Sequence, residues 1–253
     1  MKVTGSIVTY NNIRTIEKCI QSIIEETEGK AYDFKLYIYD NSSTDGTVEL
    51  IESKFPQVKL IKGEDNRGFG YGHNYIIKRV KSDHHFVINP DIVMDSDVIG
   101  ELSSYIEKDE SVGLITPKVL NPDGTEQYLP KFGPSIKYSF IGNLPGMKGI
   151  RRQYTRQDEE FTGPTEIKFC TGCFFGVRTS FIKELKGFSN RYFMYCEDSD
   201  LSRRVLNEGK SIIFYPDEHI YHHWKRDNTH NIKGFLRFVN SLIKYFNKWG
   251  WEF

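Results

Sequence analysis

Between Val3 and Asn89, short apolar runs that end in polar clusters alternate with segments of helical periodicity. Val3 to Tyr10 reads as a buried strand, and Asn12 is suited to cap the helix that follows. Ile13, Ile16, Ile20, Ile23 and Ile24 then fall on one helical face. Phe34 to Tyr39 reads as a second strand, closing on Asp40-Asn41-Ser42-Ser43-Thr44-Asp45-Gly46, a segment dense in turn residues. A short helix to Lys54, a strand at Val58 to Ile61, a helix from Gly70 to Val80 and a strand at His85 to Asn89 continue the series. This alternation constrains the chain to an α/β fold with a mostly parallel sheet and helices on both faces. Ligands of such sheets bind beyond the carboxyl ends of the strands.

Composition narrows the functional classes. The chain has 253 residues, enough for one large domain, and its 34 basic residues balance 34 acidic ones. That balance gives no electrostatic footprint for nucleic acid, which is not an expected partner. No apolar run is long enough to span a bilayer. The sequence enters a strand-like run at Val3 without a signal-peptide layout, and its four cysteines are expected as reduced thiols in the cytoplasm.

Polar clusters mark the strand ends. Thr9-Tyr10-Asn11, Asp40-Asn41 with Ser43, and Asn89-Pro90-Asp91 converge on one sheet edge, the expected binding site. Asp40 could accept the imide N–H of uracil or thymine, or it could cap the turn before Gly46. Asp91, behind a conformationally fixed proline, suits a divalent cation shared with phosphate oxygens. The glycine-rich run Asn66 to Asn74, including Gly68, would let backbone approach a ligand closely.

Chemistry-bearing residues recur in the second half. Phe193-Met194-Tyr195-Cys196-Glu197-Asp198-Ser199-Asp200 sets carboxylates at a helix start, where free N–H groups favour negative charge. A strand at Ser211 to Tyr215 precedes His219, His222 and His223, followed by Lys225 and Arg226, which could reach a diphosphate. Cys170-Thr171-Gly172-Cys173 has the spacing of zinc or redox sites, but Cys19 and Cys196 stand apart and supply no second pair. From Leu120 to Thr165, prolines and glycines, among them Gly142 and Pro145, predict a long loop with a basic patch at Arg151 to Arg156. The C-terminal stretch from Gly234 to Trp251 mixes aromatics with Lys and Arg at helical spacing, for a bilayer surface, the core or a second subunit.

The order of Thr9-Tyr10-Asn11, Asp40 to Gly46, Asn66 to Asn74, Asn89-Pro90-Asp91 and Phe193 to Asp198 resembles glycosyltransferase family 2. More narrowly, it is similar to the bacterial rhamnosyltransferase-like branch. The resemblance implies a GT-A fold, Rossmann-like, over about residues 1–230, with a C-terminal amphipathic helix at 231–253. The donor half would be about 1–115 and the acceptor half about 116–230. It implies an inverting transferase that moves a sugar from a nucleotide-diphosphate donor to a lipid-linked or growing surface glycan, with Mn²⁺ or Mg²⁺. dTDP-rhamnose is the first expected donor and UDP-hexoses the next. In this reading Thr9, Tyr10, Asn11, Asp40, Asn41, Ser43, Gly68, Asn74, Asn89 and Asp91 contact the donor. Asp91 and His222, with His223 as rival, hold the metal; Asp198 is the base, with Glu197 beside it; Gly172 and Cys173 line the acceptor side. Asn89 departs from the pattern, standing where many members carry a first aspartate. Peripheral contact with the inner membrane face and a homodimer through the last helix are further expectations. A nucleotidyltransferase would need a glycine-rich basic loop after the first strand, where Thr9-Tyr10-Asn11-Asn12 stands instead; a non-catalytic binding module would need none of the acids.

Overall fold

The computed structural model describes residues 1–139, 146, 148–223 and 232–251. Of the sequence expectations, those on Gly142, Pro145, Lys225 and Arg226 lie outside these residues. The elements run β1 (Lys2–Thr9), α1 (Ile16–Thr27), β2 (Asp33–Asp40), α2 (Thr47–Lys54), β3 (Lys59–Lys62), α3 (Phe69–Ile77), β4 (His84–Ile88) and β5 (Ile92–Val93). They continue with α4 (Val98–Lys108), β6 (Val112–Leu120), α5 (Ile136–Ser139), α6 (Lys148–Thr155), β7 (Thr165–Ile167), β8 (Phe174–Arg178) and α7 (Thr179–Glu184). Last come α8 (Glu197–Asn207), β9 (Ser211–His222) and α9 (Ile232–Trp249).

The strands form a single sheet in the order β3-β2-β1-β4-β8-β6-β9-β5, with β7 also pairing β9. Its first half is parallel, as the alternation requires: β1 pairs β2 and β4, and β2 pairs β3. The second half is mixed, because β8 runs antiparallel to both β4 and β6 while β9 lies parallel to β6. Both faces are covered. Ile16, Ile20 and Ile23 of α1 and Leu102 and Ile106 of α4 pack with Phe86 and Ile88 of β4 in the main core. Val87, pointing to the opposite face as strand geometry demands, joins Ile77 of α3, Ile182 of α7, and Leu201 and Val205 of α8. Strand β4 is therefore buried on both sides, which suits its apolar sequence.

The interior also holds polar groups that the sequence did not single out. Ser6 Oγ lies 2.8 Å from His73 Nδ1 and 2.9 Å from His85 Nε2, and His85 Nδ1 lies 2.8 Å from Thr4 Oγ1. Burial pushes both imidazoles down, His85 to about 3, so both are neutral; hydroxyls partner both ring nitrogens of His85, whereas His73 Nε2 is buried without a partner among the described residues.

Two local expectations are corrected. Asn12 does not cap α1, which starts at Ile16 after Thr15. The Asn12 carboxamide instead accepts hydrogen bonds from Tyr10 N and Thr9 Oγ1, each 2.9 Å, and so braces the end of β1. The loop expected from Leu120 to Thr165 contains the short helices α5 and α6. They are joined by a Tyr138–Tyr154 stack at 4.8 Å and a Phe132 N to Tyr154 O bond of 3.1 Å.

The last helix packs on the body of the protein. Leu242, Tyr245 and Phe246 bury against Tyr192 and Cys196. Beneath them Asp200, fully buried, accepts from Arg204 Nε at 2.9 Å, Lys248 Nζ at 2.6 Å, Trp249 Nε1 at 2.9 Å and Tyr192 OH at 3.2 Å. One carboxylate thus joins α8 to α9, and its charge is compensated by two cations. Replacing it strands both. Asp200→Ala is expected to lower unfolding stability by about 3–5 kcal/mol in urea titrations, and a loss below about 1 kcal/mol would contradict this joint.

Candidate active site

The carboxyl ends of β1, β2 and β4 hold the donor-side residues together. Thr9 pairs with Asp40 in register, and Asn41 N donates to Thr9 O at 2.8 Å. Asn11 takes a left-handed backbone with φ 56°, donating its N–H to Ser43 Oγ and accepting from Thr44 N, both at 2.8 Å. Asp40 is 1% exposed: Oδ2 accepts from Ser43 N at 2.9 Å, while Oδ1 is buried and accepts nothing. A buried carboxylate oxygen without a donor is costly, and a ligand N–H could supply the missing donor. Asn41 bridges to the glycine-rich run through Arg67 N at 3.3 Å and Gly68 O at 3.4 Å. A Cβ on Gly68 would meet Phe193 O at 2.1 Å, and Phe69 N donates to that oxygen at 3.1 Å. Glycine there lets the loop close onto the residues preceding the acidic motif.

Tyr10 is exposed at the rim of this edge. Asn74 is not brought into the cluster. Its carboxamide is taken up by the backbone of Phe188, donating to the O and accepting from the N at 2.8 Å each, which fixes the turn after α7.

Asp91 and His222 meet through strand pairing. Ile92 of β5 lies opposite His222 of β9, and His223 N donates to Asp91 O at 2.9 Å. This sets His222 Nε2 3.3 Å from Asp91 Oδ1, an oxygen that is buried and accepts no hydrogen bond. Two ligands of one octahedral cation at about 2.1 Å stand roughly 3 Å apart, so the spacing fits a shared ion. His222 Nδ1 lies 3.1 Å from Gln127 Oε1, the kind of outer contact that orients a ligating imidazole. Among the described residues no cluster of three or more His, Cys, Asp or Glu forms a complete metal cage. Mg²⁺ and Mn²⁺ sites built on substrate phosphates do not need one. The rival His223 meets Asp91 through its backbone N–H, and His219 Nε2 lies 3.3 Å from Asp95.

A short turn connects this pair to the acidic motif. Asn89 N donates to Cys173 O at 2.8 Å, and Gly172 N donates to Asp198 Oδ2 at 3.3 Å. A Cβ on Gly172 would come 3.5 Å from Asp198 Cβ and from the Phe69 ring. Asp198 Oδ1 accepts from Ser199 N at 2.7 Å, at the first turn of α8. Two successive non-glycine residues, Tyr195 at φ 71° and Cys196 at φ 64°, turn the chain sharply into this helix. Left-handed residues cost on the order of 1–2 kcal/mol each. No sequence signal announced that strain; it is visible only as the bend that presents Glu197 and Asp198.

The two acids differ. Glu197 is buried with Oε2 unpaired, and burial together with the Asp198 charge raises its carboxyl to about 8. At neutral pH it keeps its proton. Asp198 is half-buried, and its two oxygens accept from the N–H groups of Gly172 and Ser199.

Cys170 and Cys173 are both buried free thiols pushed up by burial, Cys173 to about 12, so neither is poised for redox or metal chemistry. The basic patch expected around Arg151 is partly neutralised. Arg152 pairs with Asp158 at 2.5 Å, and Arg156 pairs with Glu159 at 2.6 Å.

Because Glu197 is raised above its ordinary 4.5, the folded state binds more protons than the unfolded one between pH about 4.5 and about 8. Ionisation therefore erodes stability as pH rises through that window. Glu197→Gln should gain stability over the wild type progressively from pH 5 to 8.5, reaching at most a few kcal/mol in urea unfolding. A difference independent of pH would contradict a buried, protonated Glu197.

Comparison with known proteins gives the family and the fold. The family model described as glycosyl transferase family 2 matches residues 6–186. An N-acetylglucosaminyl-diphospho-decaprenol L-rhamnosyltransferase of Mycobacterium tuberculosis is 26% identical over 230 residues, 85% of this chain and 74% of that protein. The rhamnosyltransferase WbbL of Escherichia coli K12 is 26% identical over 239 residues, 90% of this chain and 88% of that protein. Among solved structures, the mannosyltransferase PcManGT of Pyrobaculum calidifontis with GDP-Man and Mn²⁺ superposes with TM-score 0.65 at 16% identity. That match covers 97% of this chain and 64% of the solved one. The fold is thus of the GT-A type, and the chain belongs to glycosyltransferase family 2.

Proposed function

We propose that the chain moves a sugar, with L-rhamnose from dTDP-rhamnose as the first donor, onto a hydroxyl of a lipid-linked bacterial surface glycan, inverting the anomeric centre. The observation that carries this reading is the Gly172–Cys173 turn. It bonds to Asn89 of the Asn89-Pro90-Asp91 corner on one side and to Asp198 on the other, which supports a base working beside a diphosphate seat. Asp198 takes the proton of the attacking hydroxyl, an assistance worth about 10²–10⁴ in rate. Glu197 stands beside it, its carboxyl raised by burial and by the Asp198 charge, which favours Asp198 as the base. Asp40 Oδ1 receives the imide N–H of the nucleobase, which thymine and uracil share, so UDP-hexoses remain the second donor class. Asp91 and His222 would hold Mn²⁺ or Mg²⁺, which supplies positive charge to the leaving diphosphate.

We assign residues 1–115 to the donor half, 116–230 to the acceptor half and 231–253 to an appended helix. The outward face of α9 exposes Phe235, Leu236 and Ile243, and the helix carries Arg237, Lys244 and Lys248 but no acidic residue. The acceptor named for the mycobacterial relative is attached to a decaprenol. A lipid-linked acceptor favours a bilayer over a second copy as the neighbour of this face, at the cytoplasmic side of the membrane. No helix of the described residues is long and apolar enough to cross it.

The direct test is thermal unfolding with dTDP, UDP, GDP and ADP, each with and without Mn²⁺. A nucleotide at about 100 times its dissociation constant adds roughly 2.7 kcal/mol, and a metal-dependent shift with dTDP or UDP is expected. Shifts confined to GDP or ADP would overturn the base assignment at Asp40. Asp198→Asn should lower turnover at least about 10²-fold with nucleotide affinity intact, whereas Asp91→Asn should weaken the metal-dependent binding. Near-wild-type turnover by Asp198→Asn would refute its role as base.

A further inference from the structure

The chain leaving β6 is strapped across the site. Gln127 donates from Nε2 to His222 O at 2.9 Å, Leu129 packs on the main core, Pro130 is buried, and Phe132 N bonds Tyr154 O at 3.1 Å. Between these anchors Lys131 extends its ammonium over two aromatic rings, 5.1 Å from the centroid of Phe169 and 5.9 Å from that of Tyr154. Among the described residues it makes no hydrogen bond and no ion pair. Arg152 and Arg156, on the same excursion, are matched by Asp158 and Glu159; Lys131 is not.

A partly exposed ammonium held over aromatic rings and matched by no carboxylate is open to an anion. Its place follows from its neighbours. Gln127, four residues before it, bonds His222 O, and Phe169, beneath its ammonium, lies three residues before Gly172, whose N–H donates to Asp198 Oδ2. The strap thus holds Lys131 between the Asp91–His222 side and the turn that meets Asp198. The charge arithmetic of that gap has room for cations besides the metal. A divalent ion held by one carboxylate and an imidazole would keep a single net positive charge, against about three negative ones on a departing nucleoside diphosphate.

We propose that Lys131 binds the β-phosphate of the nucleoside diphosphate and stabilises it as it leaves, an assignment that rests on the donor reading above. The acceptor oxygen bonds to the anomeric carbon as the bond from that carbon to the phosphate oxygen breaks. The electron pair stays on the β-phosphate oxygen facing Lys131, and the hydroxyl proton passes to Asp198. Lys131 keeps its own proton throughout. Its aromatic bed holds the stem extended while leaving the ammonium free for phosphate, and the Gln127–His222 contact ties its strap to the Asp91 side of the site.

Calorimetric titration of wild type, Lys131→Met and Lys131→Arg with dTDP, dTMP, UDP and UMP, in Mn²⁺ and without turnover, tests this. Lys131→Met should bind the preferred diphosphate about 10-fold more weakly, with monophosphate affinity unchanged, and Lys131→Arg should recover most of the loss. In transfer assays the Met variant should lose about 10²-fold in kcat. Equal diphosphate affinity in wild type and Lys131→Met overturns the proposal, as does an effect confined to the KM of the acceptor, which would give the lysine to a phosphate of the lipid-linked glycan. If Lys131→Met fails to fold, Lys131→Gln carries the same comparison. Absence of diphosphate binding by the wild type itself would instead refute the donor reading.

Discussion

The site depends on a ladder of two residue pairs. β5 is only Ile92 and Val93, and it pairs with the far end of the long strand β9 through His222 and Tyr221. Without that pairing Asp91 would be a turn residue and His222 the end of an edge strand. With it, two potential ligands far apart in sequence stand 3.3 Å apart, and the backbone bond from His223 N to Asp91 O fixes their separation. The mixed second half of the sheet serves this end. β9 runs parallel to β6 along its length and antiparallel to β5 only at its tip, so the carboxyl end of β9 returns to the edge where β1, β2 and β4 also finish.

Strain and burial accumulate around the same edge. Asn11 and Ser42 adopt left-handed conformations at the tips of β1 and β2, and Tyr195 and Cys196 do so in succession before α8. Such backbone persists where the surroundings over-determine it. Here the surroundings are identifiable: Ser43 and Thr44 clamp Asn11, while α9 buries Tyr192 and Cys196 and reaches Asp200 through Lys248 and Trp249. The C-terminal helix is thus a buttress for α8, coupled to it through one buried carboxylate. Contacts made by the outer face of α9 would bear directly on the element that carries Asp198.

Much of the fold was legible because apolar periodicity reports burial, and burial of one helical stripe or of both strand faces leaves little choice of architecture. The isoleucine stripe of α1 and the all-apolar middle of β4 are examples. The polar clusters at the strand ends could be grouped by the same reasoning, since strand ends in such a sheet face one way. Asn74 misled because spacing cannot reveal which way a carboxamide turns, and the backbone of Phe188 took it. Asp200 and Lys131 were invisible for a related reason. One looked like another helix-start acid and the other like a surface lysine in a loop, and only tertiary contacts give each its surroundings. Cys170 and Cys173 reversed the case: their spacing invited a metal or redox reading that burial removes.

The central claim is that Asp91 and His222 form an open seat that a divalent cation completes with the donor's diphosphate. Electron spin-echo spectroscopy of Mn²⁺ bound together with dTDP or UDP tests it without turnover. The account predicts nitrogen modulation from a directly bonded imidazole, present in the ternary complex and absent in His222→Ala. Mn²⁺ bound with the nucleotide but showing no imidazole nitrogen, or showing it unchanged in His222→Ala, would contradict the account.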